Sequence, residues 1–594
     1  MKKRIFNILA VAAVALSGVS CEKFLTVEPI DKMSADTYFK NELELELFAN
    51  GLIQSYQPTA DGLGYSDNFT DLFCSKTSSD YYRPGIWNAD KQGSWAVSNW
   101  RNIRRANILL NNMTRAQGNV SEAVYNHYQG VARFWRAYFY YAKVQTFGNV
   151  PWIDHALDIE DEILYAARDD REYVMHMVLE DLNFACQNLS GDSKYDGVIN
   201  RWVALAFKSR VCLYEGTYRK YHSVNPSTNK AWNNQYEKSA DFLAECISAS
   251  EELINSGKFE LEKDYYGLFH NTNLAASKEA IWWSDYDSGE LARMHELTWV
   301  VNSGTYDQQT SPTKLMVNHY LTVDGTPITH EGKISINDEF EGRDARLKAC
   351  VHYPGYEYTT TAGVTQLKTT NTSNTYNFYQ ITKFSIENEE NYSKGKNDND
   401  YPILRYGEVL VNYAEALVEK NGTLTQTEWD TTIGALRDRA GVKSVLPGVS
   451  PDLWLRQYYG TTNDYLVEVR RERTVELLAE GLRDADLYRW KLGHLIADRQ
   501  TGNQGWQGIW VSKDEAKNGL TFQGAKYTFA GAPAAGLGYN VGTSTANQNH
   551  TFSEGDHGFL IYNYKLEWND KMYVRPIPQT ALNVNPALEQ NYGW

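Results

Sequence analysis

The sequence predicts a mainly α-helical fold whose helices are separated by long, loop-rich insertions. Apolar residues recur at helical spacing over several long segments. Glycine and proline close those segments, and between them lie aromatic or polar stretches in which no such period survives. The chain has 594 residues, 22% of them charged and 42% hydrophobic, which is ordinary for a globular protein with a large core.

The first 21 residues, "MKKRIFNILAVAAVALSGVSC", open with Lys2, Lys3 and Arg4 and continue in an apolar run from Ile5 to Val19. That run is short for a membrane span, which needs about 20 residues. A basic start, a short apolar middle and small residues before Cys21 describe an export signal over 1–20 with a lipid-accepting thiol at Cys21. Strict versions carry Leu where Gly18 stands. The segment beyond it is expected to be soluble and tethered.

Helical faces follow. Tyr128, Val131, Ala132, Trp135, Tyr138, Phe139 and Ala142 share one face of a helix, with Arg133, Arg136 and Lys143 on others; Gly148 and Pro151 end it. Asp169 and Glu172 suggest a capping pattern at the start of the next helix. Trp202, Leu205, Ala206, Ser209 and Leu213 form a further face, with Val203, Phe207 and Val211 covering another side. Asn234–Ser256, Arg405–Glu419 and Glu428–Ala440 also read as helices. "RRERTVELLAEGLRDADLYRW", from Arg470, carries an apolar stripe of Val475, Leu478, Leu482, Ala485 and Tyr488. It also carries carboxylates at Glu472, Glu476 and Glu480 and a local set of Arg483, Asp486 and Arg489. This spacing predicts a helical pair with a solvated charged face, broken or closely approached at Gly481. Trp135, Trp202 and Trp490 are expected in the core.

Pro58–Ser98, Lys263–Asp400 and Asp498–Asp556 break the helical pattern and read as insertions, where ordered loops tend to carry function. Aromatics make up 13% of the chain, with 41 Tyr, 21 Phe and 17 Trp. Flat rings with polar edges suit a wet binding surface. Two clusters stand out. One is Asp80, Tyr81, Tyr82, Trp87 and Trp95, with Arg83 and Asn88; the other is Trp282, Trp283, Tyr286 and Trp299, with Asp285 and Arg293. Either Trp282 or Trp283 is expected to point inward, because strand neighbours face opposite sides.

The formal charge of −16, more negative still without the signal, disfavours a nucleic-acid partner. The six cysteines show neither CxxC nor zinc spacing, and Cys186, Cys212 and Cys246 read as buried thiols. GxSxG, HExxH and the Walker loop are missing. "KNDND", from Lys396, gathers oxygen ligands without a calcium-loop spacing, so no cofactor is expected. Helices paired roughly 30 to 40 residues apart raise the question of tetratricopeptide-type repeats, whose length is about 34 residues, although insertions break the phase.

Taken in order, "KFLTVEP", "DTYFKNELELELFANGLIQSY", "WRNIRRANILLNNM", "ARFWRAYFYYAKVQTFGNVPWI", "INRWVALAFKSRVCLYEG", "EGRDARLKACVHYPG", "LRYGEVLVNYAEALVEKNG", "LRDRAGV" with the Arg470 stretch, and "YVRPIPQTALNVNPALEQNYGW" resemble the RagB/SusD family of Bacteroidetes outer-membrane lipoproteins. Trp135 departs from the Leu more usual there. The resemblance implies one discontinuous domain over 21–594. Four tetratricopeptide-like helix pairs would lie within roughly 36–57, 99–260 and 402–496, and insertions within 58–98, 263–400 and 498–570 would form a second face. It implies a non-enzymatic glycan-binding lipoprotein, anchored in the outer membrane through Cys21. Such a protein passes oligo- or polysaccharide to a SusC-like TonB-dependent transporter barrel and serves as its lid. The residues themselves leave two other classes open: a peptide-binding helical scaffold, and an α-helical glycosidase whose two carboxylates the sequence would hide.

Overall fold

The computed structural model describes residues 38–75, 79–303, 310–328, 332–371, 375–448, 451–497, 506–530, 537–541, 544–563 and 565–594. The export signal and Cys21 lie outside the described residues.

The scaffold is helical. Its principal members are α1 (Glu42–Tyr56), α2 (Val97–Asn112), α3 (Glu122–Phe147), α4 (Arg171–Asn188), α5 (Arg201–Tyr221), α6 (Ser239–Asn255), α7 (Tyr406–Asn421), α8 (Asp464–Glu476) and α9 (Arg483–Arg489). Neighbours in sequence pack on one another, α2 on α3, α3 on α4, α4 on α5 and α5 on α6. α7 then closes on α6 and α8, and α9 returns to α5. Ser121 caps α3 by accepting from the Val124 amide, and Gly148 ends it at φ +72°, where a Cβ would meet the Ser227 hydroxyl at 2.0 Å. Between α7 and α8 the chain runs through Gln426–Trp429, a π-turn at Asp430–Gly434, and Ala435–Arg439.

The strands lie outside this layer. β1 (Ala280–Ser284) pairs with β4 (Tyr401–Arg405), and β2 (Glu357–Thr359) with β3 (Thr365–Leu367). β5 (Trp506–Val511), β6 (Leu520–Phe522), β7 (Ala525–Ala530), β8 (Leu537–Val541), β9 (Ser544–Phe552) and β10 (Gly558–Tyr562) form an antiparallel sheet in the order β6-β7-β8-β9-β10-β5. The sequence reads this region as loop because its Gly, Thr and Asn disguise the strands. Gln523 (φ +52°) and Gly524 (φ +74°) make the left-handed two-residue turn that joins β6 to β7.

The α3 stripe is buried as its spacing predicts, save half-buried Tyr138 and exposed Ala142. The other faces of α3 are covered too. Arg136 is buried on Asp181 (2.7 and 2.8 Å), and Lys143 donates to the Ser94 carbonyl beneath the Trp100 ring. Trp135 and Trp490 are core residues, whereas Trp202 is half-exposed and donates to the Gly191 carbonyl. The expected capping pair at α4 is used otherwise: Asp169 accepts from the Trp152 amide and Glu172 from Arg219 and the Asn234 amide. Cys74, Cys186, Cys212, Cys246 and Cys350 are buried free thiols.

The Arg470–Trp490 stretch overturns the expectation of a solvated charged face. Its charges are buried in ion pairs with distant segments. Glu476 accepts from Arg346 (2.7 Å), Arg405 (2.5 Å) and Arg439 (2.5 Å). Arg405 also reaches Glu480 (2.7 Å) and Glu279 (2.8 Å). Arg483 grips Asp71 (2.6 Å), Arg471 grips Asp452 (2.6 Å), and Arg489 spans Glu415 (2.5 Å) and Asp486 (2.9 Å). These guanidiniums hold Glu468, Glu476 and Glu480 below the ordinary carboxylate range despite burial. Gly481 separates α8 from α9 at φ +77°, and a Cβ there would stand 2.4 Å from the Ser66 hydroxyl.

Candidate functional site

The first aromatic cluster is built into the fold more deeply than its sequence suggests. Ser79 caps the turn that begins at Asp80 by accepting from the Tyr81 amide. The Tyr81 hydroxyl donates to the Met572 carbonyl (2.8 Å), and its ring stacks on Trp594. The Tyr82 hydroxyl donates to Asp484 (2.9 Å) and meets the Tyr488 hydroxyl at 3.0 Å. At 1% and 4% exposure, Tyr81 and Tyr82 offer no ring face to a ligand. The C-terminal segment that covers them is remote in sequence, which is why local reading placed them outside. Trp87 stands edge-on to Tyr81 and Trp95 against Trp100 and Phe147, both half-buried; Asp80 is exposed and paired with Arg83 (2.7 Å).

The second cluster divides. Trp282 is fully buried against Phe134, Trp135 and Tyr138. Trp283 is buried as well, where one of the two was expected to face outward. Register shifts on both sides of Trp282 and cover over both faces of the β1–β4 pair defeat the alternation. On the second face Trp283 lies against Gly197, where a Cβ would approach its ring at 2.9 Å, and its Nε1 donates to Asp285 (2.7 Å). Tyr286 is buried with its hydroxyl accepting from the Ala60 amide (2.7 Å). Trp299 alone of the four keeps part of its surface, with the Lys394 ammonium 5.6 Å from its ring centre.

Trp299 sits on the short helix Leu297–Asn302, which packs against the turn Glu389–Tyr392. From that turn Tyr392 stacks on Tyr358 of β2, with centroids 5.8 Å apart and planes at 22°. Lys368 lies over both rings, at 3.9 and 4.7 Å, and Gln366 of β3 donates to the Tyr358 hydroxyl (2.6 Å). Burial pulls the Lys368 ammonium down to about 8 and pushes the Tyr392 phenol up. The result is a partly exposed aromatic ledge with donors at its rim. Sequence reading missed Tyr358, Tyr392 and Lys368, because the hairpin and the turn that join them are separated by a long segment. A second stack, Trp454 on Tyr458 (5.1 Å, 11°), was also missed; it lies on the helix Leu453–Tyr459.

A cavity of about 320 Å³ opens between α3, α5, α9 and the C-terminal segment. Tyr138, Tyr141, Tyr214 and Tyr488 contribute walls, and Asp484 and Arg575 face it with unequal partners. Burial raises the Asp484 carboxyl above its usual value, with Tyr82 and Arg575 opposing the shift.

The oxygen-rich run at Lys396 serves the fold. Asp400 accepts from the Leu274 and Tyr286 amides, and Asn399 donates to the Phe269 carbonyl. Among the described residues no three His, Cys, Asp or Glu converge as a metal site. No helix among them is long and apolar enough to cross a membrane.

A family profile described as "SusD family" matches residues 278–594, and one described as "Starch-binding associating with outer membrane" matches residues 23–213. A SusD-like protein of Bacteroides ovatus is 22% identical over 616 residues, spanning 98% of this chain and 97% of that protein. SusD-like protein P25 of Formosa agariphila is 23% identical over 299 residues, which cover 46% of this chain and 55% of the relative. SusD-like protein P2 of the same organism is 25% identical, over 61% of this chain and 65% of its own length, so the chain spans less than two thirds of these two relatives. Among solved structures, one described as a SusD-like carbohydrate binding protein from Bacteroides fragilis superposes with a TM-score of 0.67 at 21% identity. That match covers 93% of this chain and all of the other. A second SusD-like protein from the same species gives 0.65 at 20% identity, over 96% of this chain.

Proposed function

The chain belongs to the SusD family, and from that premise we propose that it binds glycan at the outer-membrane surface and passes it, uncleaved, to a TonB-dependent transporter barrel. In this reading Cys21 carries the lipid and the protein acts as the barrel's lid. The observation that carries the glycan part is the ledge of Trp299, Tyr392 and Tyr358 with Gln366, Lys368 and Lys394 beside it. A pyranose has one apolar C–H face and a rim of hydroxyls. A partly exposed ring removes that face from water while neighbouring amide and ammonium groups bond the rim. The relatives' descriptions, starch-binding and carbohydrate-binding, support the same ligand class.

The test is a panel of oligo- and polysaccharides against the full chain, read by calorimetry and by reducing-end assay. Binding without new reducing ends is expected. Trp299→Ala and Tyr392→Ala should each weaken it tenfold or more while the unfolding midpoint holds. A silent panel, or affinity unmoved by both substitutions, overturns the reading; binding of peptides alone transfers it to peptide capture. Labelled palmitate should enter the wild type and not Cys21→Ala, and affinity purification should bring down a barrel transporter.

A further inference from the structure

The cavity between α3, α5 and α9 holds two charged side chains that the fold leaves unspent. Three of its arginines are paired: Arg210 on Glu408 (2.6 Å), Arg473 on Asp486 (2.7 Å) and Arg489 on Glu415 (2.5 Å). Arg575 is different. Its guanidinium lies over the rings of Tyr81 (4.9 Å) and Trp87 (5.9 Å) and makes no hydrogen bond or ion pair with any described residue. A stacked guanidinium keeps its in-plane N–H groups available. Asp484 accepts one bond, from Tyr82, and its second oxygen receives none. The two do not pair with each other, and the Tyr138 hydroxyl, which lines the same cavity, is also without a partner among the described residues. All three side chains keep part of their surface, so their free donors and acceptors are open to a ligand in the cavity.

We propose that this cavity is a ligand site for one uncharged, polyhydroxylated ring, a single sugar unit, apart from the aromatic ledge. Its partner must accept from Arg575 and donate to Asp484, which every sugar hydroxyl can do. A uronate gains the Arg575 cation but meets the Asp484 carboxylate, and an amino sugar gains Asp484 but meets Arg575, so only a ligand without net charge suits both. Tyrosine walls supply the flat apolar surface such a ring needs. Ligand cavities run from roughly 300 to 1,000 Å³, so a volume of about 320 Å³ has room for one ring. The site does not rest on glycan capture at the ledge.

The test uses the full chain with D-glucose, D-galactose, D-mannose and N-acetylglucosamine as probes, and D-glucuronate, glucosamine and glycine as counter-probes. Binding is read by saturation-transfer NMR and calorimetry. At least one neutral sugar should bind, and Arg575→Gln and Asp484→Asn should each weaken it tenfold or more. If either substitution lowers the unfolding midpoint, Tyr138→Phe replaces it and should weaken binding several-fold. A soaked crystal should show the ring between Asp484 and Arg575. Failure of all four sugars, binding of the charged probes alone, or affinity within twofold of wild type in the folded variants overturns the proposal.

Discussion

At the scale of single residues the buried charges set the behaviour. Glu476 touches three arginines from three other segments, so neutralising it strands Arg346, Arg405 and Arg439 together. Removing one partner of a buried pair costs about 3–5 kcal/mol, and Glu476→Gln should lower chemical-denaturation stability by that amount with the m-value unchanged. Acid should act on the same network. Glu468, Glu476 and Glu480 are held below their usual 4.5, so their contribution is complete above that value and is lost as pH falls beneath it. Asp67 works in the opposite sense. It is buried beneath the Gly481 and Arg483 amides and pushed from 3.8 up to about 7. Its contribution is complete below 3.8 and disappears as pH rises through about 7. Asp67→Asn should therefore flatten the stability profile between about pH 4 and 7, removing a slope of at most about 1.4 kcal/mol per pH unit. Unfolding curves across that range would show it, and an unchanged slope would refute the assignment. None of this was legible in the sequence. The alternation of Arg and Glu along α8 and α9 is visible there, but their partners at Arg346, Arg405, Arg439, Asp452 and Asp71 come from elsewhere in the chain.

At the scale of elements, the helices were legible, whereas of the strands only the stretch around Trp282 and Trp283 was read as one, and its two-sided burial was not. α3, α5 and α7 declare themselves through periodic apolar faces, and Gly148 and Gly481 mark breaks where the backbone takes positive φ. β1 and β4 form one buried pair, so neither shows the half-polar alternation from which a strand is read. For the same reason the aromatic pair in β1 looked like a surface cluster. Trp282 fills the space between β1 and α3, and truncating a buried Trp costs about 3–5 kcal/mol through lost burial and the cavity left behind. Trp282→Ala should show that loss in full, whereas Trp299→Ala, on the ledge, should change stability little. Equal losses would mean that Trp299 is structural. One ring of the candidate ledge, Trp299, was visible in the sequence; its companions needed the fold to bring β2 and the Glu389–Tyr392 turn together.

At the scale of the whole molecule, the C-terminal segment ties the scaffold to the loop that carries the first aromatic cluster. Asn591 is the knot. Its Nδ2 donates to the Phe147 carbonyl at the end of α3 (2.9 Å) and to the Arg575 carbonyl (2.7 Å), and its Oδ1 accepts from Arg168 (2.6 Å). One buried side chain thus holds the end of α3, the approach to α4, and the strand of chain that presents Arg575. Truncation leaves two buried carbonyls and a guanidinium short of a partner, at about 1–3 kcal/mol for each group left unsatisfied. Because these groups belong to segments far apart in sequence, Asn591→Ala should loosen more than its own neighbourhood. Hydrogen exchange should quicken at the C-terminal turn of α3 and around Tyr81 and Tyr82 together, while α6 and α7, which it does not touch, keep their protection. Faster exchange confined to the last residues would show that the segment is only laid upon the scaffold, and that the cavity wall formed by Arg575 stands without it.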